Sequence, residues 1–207
     1  MNSKEESFLN DLDLSLEKAW GLLSAGRVDR DSPLHTLAVG SIDHQGLPTQ
    51  RIMVLRSVDV EKRFLRFNSD SRADKINQLA KDASISILGY HPQAKIQLRI
   101  LGTSKIQTEG LEFETAWNRA SPYGKRCYLS NPGPGQAVSA PSSGLLPELE
   151  GMKPTEEQLK PAKQNFAVLQ VEVNRIEWLY LAHTGHRRAM FSWNGKERKW
   201  ESEWRIP

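Results

Sequence analysis

Thr49-Gln50-Arg51-Ile52-Met53-Val54-Leu55-Arg56 is the stretch on which the fold turns. Read with a period of two, it sets Arg51, Met53 and Leu55 on one face and Ile52, Val54 and Arg56 on the other. Two apolar faces predict a strand covered on both sides, which is unusual where one face of an antiparallel sheet meets water. Arginine is rarely buried without an anionic partner, and one stands at each end. Two readings follow. The strand ends emerge into solvent, or both arginines converge on a phosphate-bearing ligand lying across the strand.

Outward from this strand the pattern is of short strands punctuated by turns. Before it, Leu34 to Ile42 reads as a strand, joined to it through Asp43-His44-Gln45-Gly46. After it, Phe64 to Ser69 is a strand and Arg72 to Lys81 a short helix. Ser84 to Tyr90 and Ala94 to Ile106 form a hairpin, with Gly102 marking a bulge or a close backbone approach. A helix is predicted over Thr108 to Arg119. Strands resume at Phe166 to Val173, Ile176 to Leu181, Arg188 to Trp193 and Lys199 to Arg205, the last two joined at Asn194-Gly195.

Residues 1–26 read as an N-terminal helix. Ser3 and Glu6 have capping-box spacing, Phe8, Leu12, Leu16, Ala19 and Leu23 share a face, and Gly26 is a natural stop. Residues 131–155 are a Pro/Gly/Ser-rich loop insertion, read either as a lid or as a plain surface insertion. No internal repeat and no second hydrophobic core are legible, so residues 1–207 are expected to form a single domain. The class is mainly β (α+β), an antiparallel barrel with flanking helices.

Composition narrows the function. The net charge of +3 is small against 28 basic and 25 acidic residues, which argues against a nucleic-acid partner. No apolar run approaches the length of a membrane span. One cysteine, Cys127, permits neither an intrachain disulfide nor a multi-cysteine metal site, and no metal is expected. The N-terminus lacks the basic-then-apolar order of a signal peptide, so a cytoplasmic setting is expected. G-x-S-x-G, Walker and G-x-G-x-x-G motifs are absent.

Three further clusters carry candidate chemistry. Asn68-Ser69-Asp70-Ser71-Arg72-Ala73-Asp74-Lys75 runs from a strand end into a helix N-terminus, where backbone N–H groups and the dipole favour an anion. Solvated cations behind a serine cap are the plainer reading. Gln97 is a polar side chain in an apolar strand; it meets either a heterocycle's edge or a neighbouring backbone group. His186-Arg187-Arg188 is a cationic cluster able to grip a phosphate or carboxylate, or a solvated turn.

The order of these pieces resembles the pyridoxamine 5′-phosphate oxidase family. The likeness is closer to its oxidase-related branch, the FMN-binding split barrels. The resemblance runs through Arg51-Ile-Met-Val-Leu-Arg56, Asn68 to Lys75, Gln97 to Gly102, Ile176-Glu-Trp178, His186 to Phe191 and the closing Trp204-Arg-Ile-Pro207. It covers the chain from about residue 34 onward, with the 131–155 insertion aligning poorly. It implies an antiparallel split β-barrel and FMN as cofactor. Arg51, Ile52, Met53, Val54, Leu55 and Arg56 would line the flavin, with Arg51 near the ribityl-phosphate arm. Asn68, Ser69, Arg72 and Lys75 would surround the FMN phosphate, and Gln97 would hydrogen-bond the isoalloxazine edge. Arg56, His186, Arg187 and Arg188 would grip a small phosphorylated substrate, and flavin would sit between the subunits of a homodimer.

The implied activity is oxidation of pyridoxamine or pyridoxine 5′-phosphate to pyridoxal 5′-phosphate. The alternatives are a flavin-binding carrier or sensor without oxidase activity, or an FMN-dependent reductase. Two departures concern the substrate. Arg56 stands where the oxidases usually have lysine, and Met190 where a flavin-contacting arginine is expected. No residue is assigned to proton transfer.

Overall fold

The computed structural model describes residues 7–207, so the Ser3–Glu6 capping box lies outside the described residues. A 3-10 turn at Ser7–Leu9 leads into α1 (Leu12–Val28). The cap within the described residues is Asp11, whose Oδ1 accepts from the Leu14 N–H at 2.9 Å; a cap of this kind contributes about 1 kcal/mol. Gly26 does not stop the helix, which continues to Val28. It is glycine because a Cβ there would meet the Leu34 carbonyl carbon at 2.7 Å.

The strands are β1 (Thr36–Ile42), β2 (Pro48–Val54), β3 (Ser57–Asp59), β4 (Phe64–Asp70), β5 (Ser84–His91), β6 (Ile96–Gln107), β7 (Phe166–Tyr180), β8 (Arg187–Asn194) and β9 (Lys199–Arg205). The longer helices after α1 are α2 (Asp74–Lys81) and α3 (Leu111–Arg119), followed by short α4 (Pro122–Arg126) and α5 (Glu156–Leu159). All strand pairs are antiparallel, in the order β2-β1-β5-β6-β7-β4-β3. β7 is continuous where the sequence suggested two strands. Its first half pairs with β4 and its second half with β8, which continues to β9. One long strand thus serves two branches of a curled, split barrel. The register of β6 against β7 shifts between Leu101 and Gly102, leaving Asn174 as the extra residue. This is the bulge that Gly102 suggested; a Cβ there would run into the Glu172 carbonyl oxygen.

Alternation along the strands builds the main core. Leu37, Val39, Met53, Leu55, Leu65, Phe67, Ile87, Leu98, Ile100, Ile176, Trp178 and Phe191 are buried together, and Trp20 and Leu23 of α1 close one side. Burying one such side chain contributes about 1.5–3 kcal/mol. A second, smaller cluster contradicts the expectation of one core. Phe113, Ala116 and Trp117 of α3 pack with Phe166 and Val168, which face the other side of β7. The reason is that β7 is apolar on both faces at its start, a pattern that a strand periodicity of two does not report.

The expectation of two covered faces is overturned for β2. Among the described residues it is an edge strand, paired only with β1. Met53 and Leu55 are 7% and 0% exposed, whereas Ile52 is 67% exposed. The outer row continues across the sheet through Ala38 and Leu88 to Arg99, and Leu88, Tyr90 and Leu101 are also exposed on this face.

Candidate functional site: two cationic centres and a sheet face

The first centre lies at the inner face of β2. Register places Arg51 opposite Val39, facing the core side at the sheet edge. Its Nη1 donates to Ser41 Oγ at 2.7 Å and to the Val39 carbonyl at 3.3 Å. Its Nη2 donates to Thr49 Oγ1 at 3.0 Å and to Gln78 Oε1 at 3.3 Å. Gln78, buried on α2, also accepts from Ser41 Oγ at 2.7 Å. Every partner is neutral, so the guanidinium is oriented without being neutralised. Desolvation lowers its pKa.

Lys75 lies three residues before Gln78, one turn along α2. Its pKa is lowered by burial and then by Arg51, while Asp70 and Asp74 act in the opposite direction. The cap residue of α2, Ala73, offers no side-chain acceptor. Two under-compensated cations beside an uncapped helix start suit a phosphate dianion. By that donor chemistry the residues fit the terminal phosphate of FMN.

The other residues of this segment are placed differently. Ser69 is buried, its Oγ donating to the Asp70 carbonyl at 3.1 Å. Arg72 grips Asp70 with both Nε (2.9 Å) and Nη2 (2.7 Å), and this hydrogen-bonded pair raises its pKa. Its Nη1 donates to the Ser130 carbonyl at 2.9 Å, tying the start of the 131–155 loop to the approach of α2. Arg126 holds the far end of that loop through the Leu149 and Met152 carbonyls, at 2.9 and 2.7 Å.

The outer sheet face carries Gln97, in one row with Tyr90, Leu179 and Arg188. In the next row Glu177, 9% exposed, accepts from Arg99 at 2.9 Å and from Arg188 Nη2 at 3.0 Å. Arg188 is therefore neutralised on one side, with its Nε buried and unpartnered. Met190 lies beside Glu177 on this face. His186 and Arg187 do not join Arg188 in a convergent grip. His186 Nδ1 accepts from the Ala182 N–H at 3.1 Å, shaping a turn, and Arg187 is exposed at the strand end with its Nη1 on the His186 carbonyl.

The second cationic centre escaped the sequence. Arg56 opens onto a cavity of about 330 Å³ that also receives Arg27, Arg30, Arg66 and Arg119. Among the described residues the lining contains no carboxylate, and none of the five arginines forms an ion pair. Arg66 Nη1 and Asn68 Oδ1 are buried without a hydrogen-bond partner. Burial lowers the Arg66 pKa; Glu112 opposes this, and Arg119, Arg56 and Arg27 add to it. Tyr128 forms part of the wall, its phenol held protonated by burial. Arg56 and Asn68 were singled out in the sequence; the further signal it offered was Arg66, standing between Leu65 and Phe67 on the non-core face of β4. Its convergence with residues from α1 and α3 is tertiary.

The stretch from Arg51 to Arg56 is thus divided by alternation. Met53 and Leu55 belong to the core, Ile52 and Val54 to the outer face, and Arg51 and Arg56 to two separate centres. A strand rise of about 3.3 Å per residue separates those arginines' backbones by at most about 17 Å.

Among proteins of known structure, the chain is similar to a pyridoxamine 5′-phosphate oxidase-related, FMN-binding protein from Nostoc punctiforme PCC 73102. The TM-score is 0.70 at 21% identity, covering 93% of this chain and 96% of that one. It is also similar to PhzG from Burkholderia lata 383, solved with tetrahydrophenazine-1-carboxylic acid. There the TM-score is 0.69 at 18% identity, covering 100% and 98%. A Clostridium acetobutylicum protein related to general stress protein 26 matches with a TM-score of 0.52 at 14% identity, covering 84% and 92%. No curated protein matches the sequence. These likenesses show the fold. With them, residues 18–108 match the family model described as pyridoxamine 5′-phosphate oxidase, FMN-binding domain, so the resemblance read from the sequence holds for the split barrel and for that domain.

Proposed function

We propose that the protein is an FMN-dependent oxidoreductase, working as a homodimer on a small anionic substrate. The observation that carries this reading is the Arg51–Lys75 pair, in which Arg51 is oriented by neutral groups and Lys75 stands close enough for the two charges to repel. Arg51 and Lys75 would hold the FMN phosphate, with Ser69 and Arg72 shaping the strand-to-helix turn around it. Gln97 would meet the flavin edge. The exposed apolar row at Ile52, Leu88 and Leu101 supports a second subunit covering that face.

FMN, when bound, supplies acceptance of a hydride and delivery of two electrons to an acceptor such as dioxygen. The chain's own part is to seat the substrate's anionic group among Arg56 and its neighbours and to exclude water around the reacting carbon. Pyridoxamine or pyridoxine 5′-phosphate is the first substrate to test. Oxidation of the amine would yield an imine that water converts to pyridoxal 5′-phosphate and ammonia, with dioxygen reduced to hydrogen peroxide. The second reading, a flavin carrier, sensor or reductase, is favoured by Met190 and by the commitment of Arg188 to Glu177.

Anaerobic bleaching of the bound flavin separates these readings. Pyridoxamine phosphate and pyridoxine phosphate should bleach it, and air should restore the colour. Bleaching by NAD(P)H alone assigns a reductase, and bleaching by none of these favours the carrier or sensor. Sedimentation should show a dimer; a monomer that retains its full flavin contradicts the interface.

A further inference from the structure

The arginine cavity holds more positive charge than one phosphate group can balance. Five guanidiniums reach it from α1, the following loop, the β2–β3 connection, β4 and α3, and among the described residues none is paired with a carboxylate. Arginine does not lose its proton in proteins, so the charge cannot be relieved by titration. A bound phosphate monoester carries roughly −1.5 to −2. Most of the cluster's charge would remain.

Arg27 and Arg30 are carried by anchored backbone. Gly26 packs so close to Leu34 that no Cβ fits, and its carbonyl accepts from His35 Nδ1 at 2.8 Å. The Asp29 N–H donates to the Ala25 carbonyl at 2.8 Å. The backbone on both sides of Arg27 and before Arg30 is therefore anchored, and His35 itself lines the cavity. At the other end, Arg66 presents a buried Nη1 with no partner, beside the equally unpartnered Asn68 Oδ1. The cavity thus joins a buried donor at Arg66 to four further arginines, of which Arg119, Arg56 and Arg27 act electrostatically on Arg66 and Arg30 does not. A volume of about 330 Å³ suits a small molecule.

We infer that this cavity binds a small molecule carrying two anionic groups, one seated on Arg66 with Arg56 and Arg119, the other on Arg27 and Arg30. The inference deepens the proposed function by naming its substrate class, a phosphate joined to a carboxylate or to a second phosphate. It makes pyridoxamine phosphate, with one phosphate, a partial occupant.

The test is calorimetric titration of the purified protein at fixed ionic strength with orthophosphate, 3-phosphoglycerate and pyrophosphate, with and without saturating FMN. The two doubly anionic probes should bind at least tenfold more tightly than orthophosphate. Arg66→Met should weaken all three at least tenfold, and Arg119→Gln, at an exposed position, severalfold, which keeps the test valid if the buried variant misfolds. Arg27→Gln combined with Arg30→Gln should bring the three probes within about twofold of one another. Equal affinities in the wild type, a preference unchanged in the double variant, or wild-type binding by both Arg66→Met and Arg119→Gln overturns the inference. FMN affinity, read by fluorescence on the same samples, reports separately on the flavin reading. Its failure would leave the anion result standing.

Discussion

Arg51 and Arg188 stand in opposite electrostatic settings on one sheet. Arg51 is held by two hydroxyls, an amide oxygen and a carbonyl, none of them charged. Arg188 is held by Glu177, which also holds Arg99. Neutral acceptors fix direction and leave the charge available to a ligand. A carboxylate fixes direction but cancels most of the field. The difference explains why the β2 end is the stronger candidate for a phosphate, although the two arginines look alike in sequence.

Removing Arg51 should have the largest effect. A charge-assisted hydrogen bond contributes about 1.5–3 kcal/mol, and removing Arg51 also takes from Ser41, Thr49 and Gln78 the donor they share. Arg51→Met should therefore weaken FMN at least about a hundredfold, read by flavin fluorescence, while Arg51→Lys restores only part because the fork is lost. Full affinity in Arg51→Met would end the contrast with Arg188.

Lys75→Met should weaken FMN by about ten- to a hundredfold while stabilising the flavin-free protein. The sign follows from linkage. The folded pKa of Lys75 lies below its ordinary 10.5, so its charge costs stability at neutral pH. That cost shrinks as pH rises from the folded pKa to the unfolded one, where the unfolded chain binds more protons. The wild type should gain stability across this interval and the variant should lack the gain. Thermal unfolding at several pH values measures it, and parallel profiles would contradict the burial of this charge.

Glu177→Gln should have the smallest effect on ligands and the opposite sign. Freed of the carboxylate, Arg188 and Arg99 add positive potential on the outer face, and affinity for an anionic substrate should rise severalfold. The protein should lose about 1–3 kcal/mol of stability, because Arg188 keeps a buried Nε with one fewer strong partner. Reduced anion affinity would show that Glu177 orients Arg188 more than it neutralises it.

Strand periodicity made most of the barrel legible. It put Met53 and Leu55 on one shared face, which is core, and Gly102 marked a bulge or a close backbone approach before any register was known. It failed where the answer depends on a strand's neighbours. Ile52 looked as buried as Met53, because alternation cannot show that β2 is an edge whose outer face awaits a partner. Phe166 and Val168 hid a second core, since α3 returns to cover them from the far side. At the candidate site Arg51 and Arg56 were visible, but their companions were not. Ser41, Thr49 and Gln78 are ordinary polar residues until the fold gathers them around Arg51. Arg27, Arg66 and Arg119 lie far apart in sequence and meet only through the packing of α1 and α3 against the sheet.

A site built for a terminal phosphate is tested most directly by titration of the flavin-free protein with FMN and with riboflavin. Two charge-assisted contacts at about 1.5–3 kcal/mol each predict that FMN binds at least about a hundredfold more tightly. Affinities within threefold of one another would contradict a phosphate site at Arg51 and Lys75.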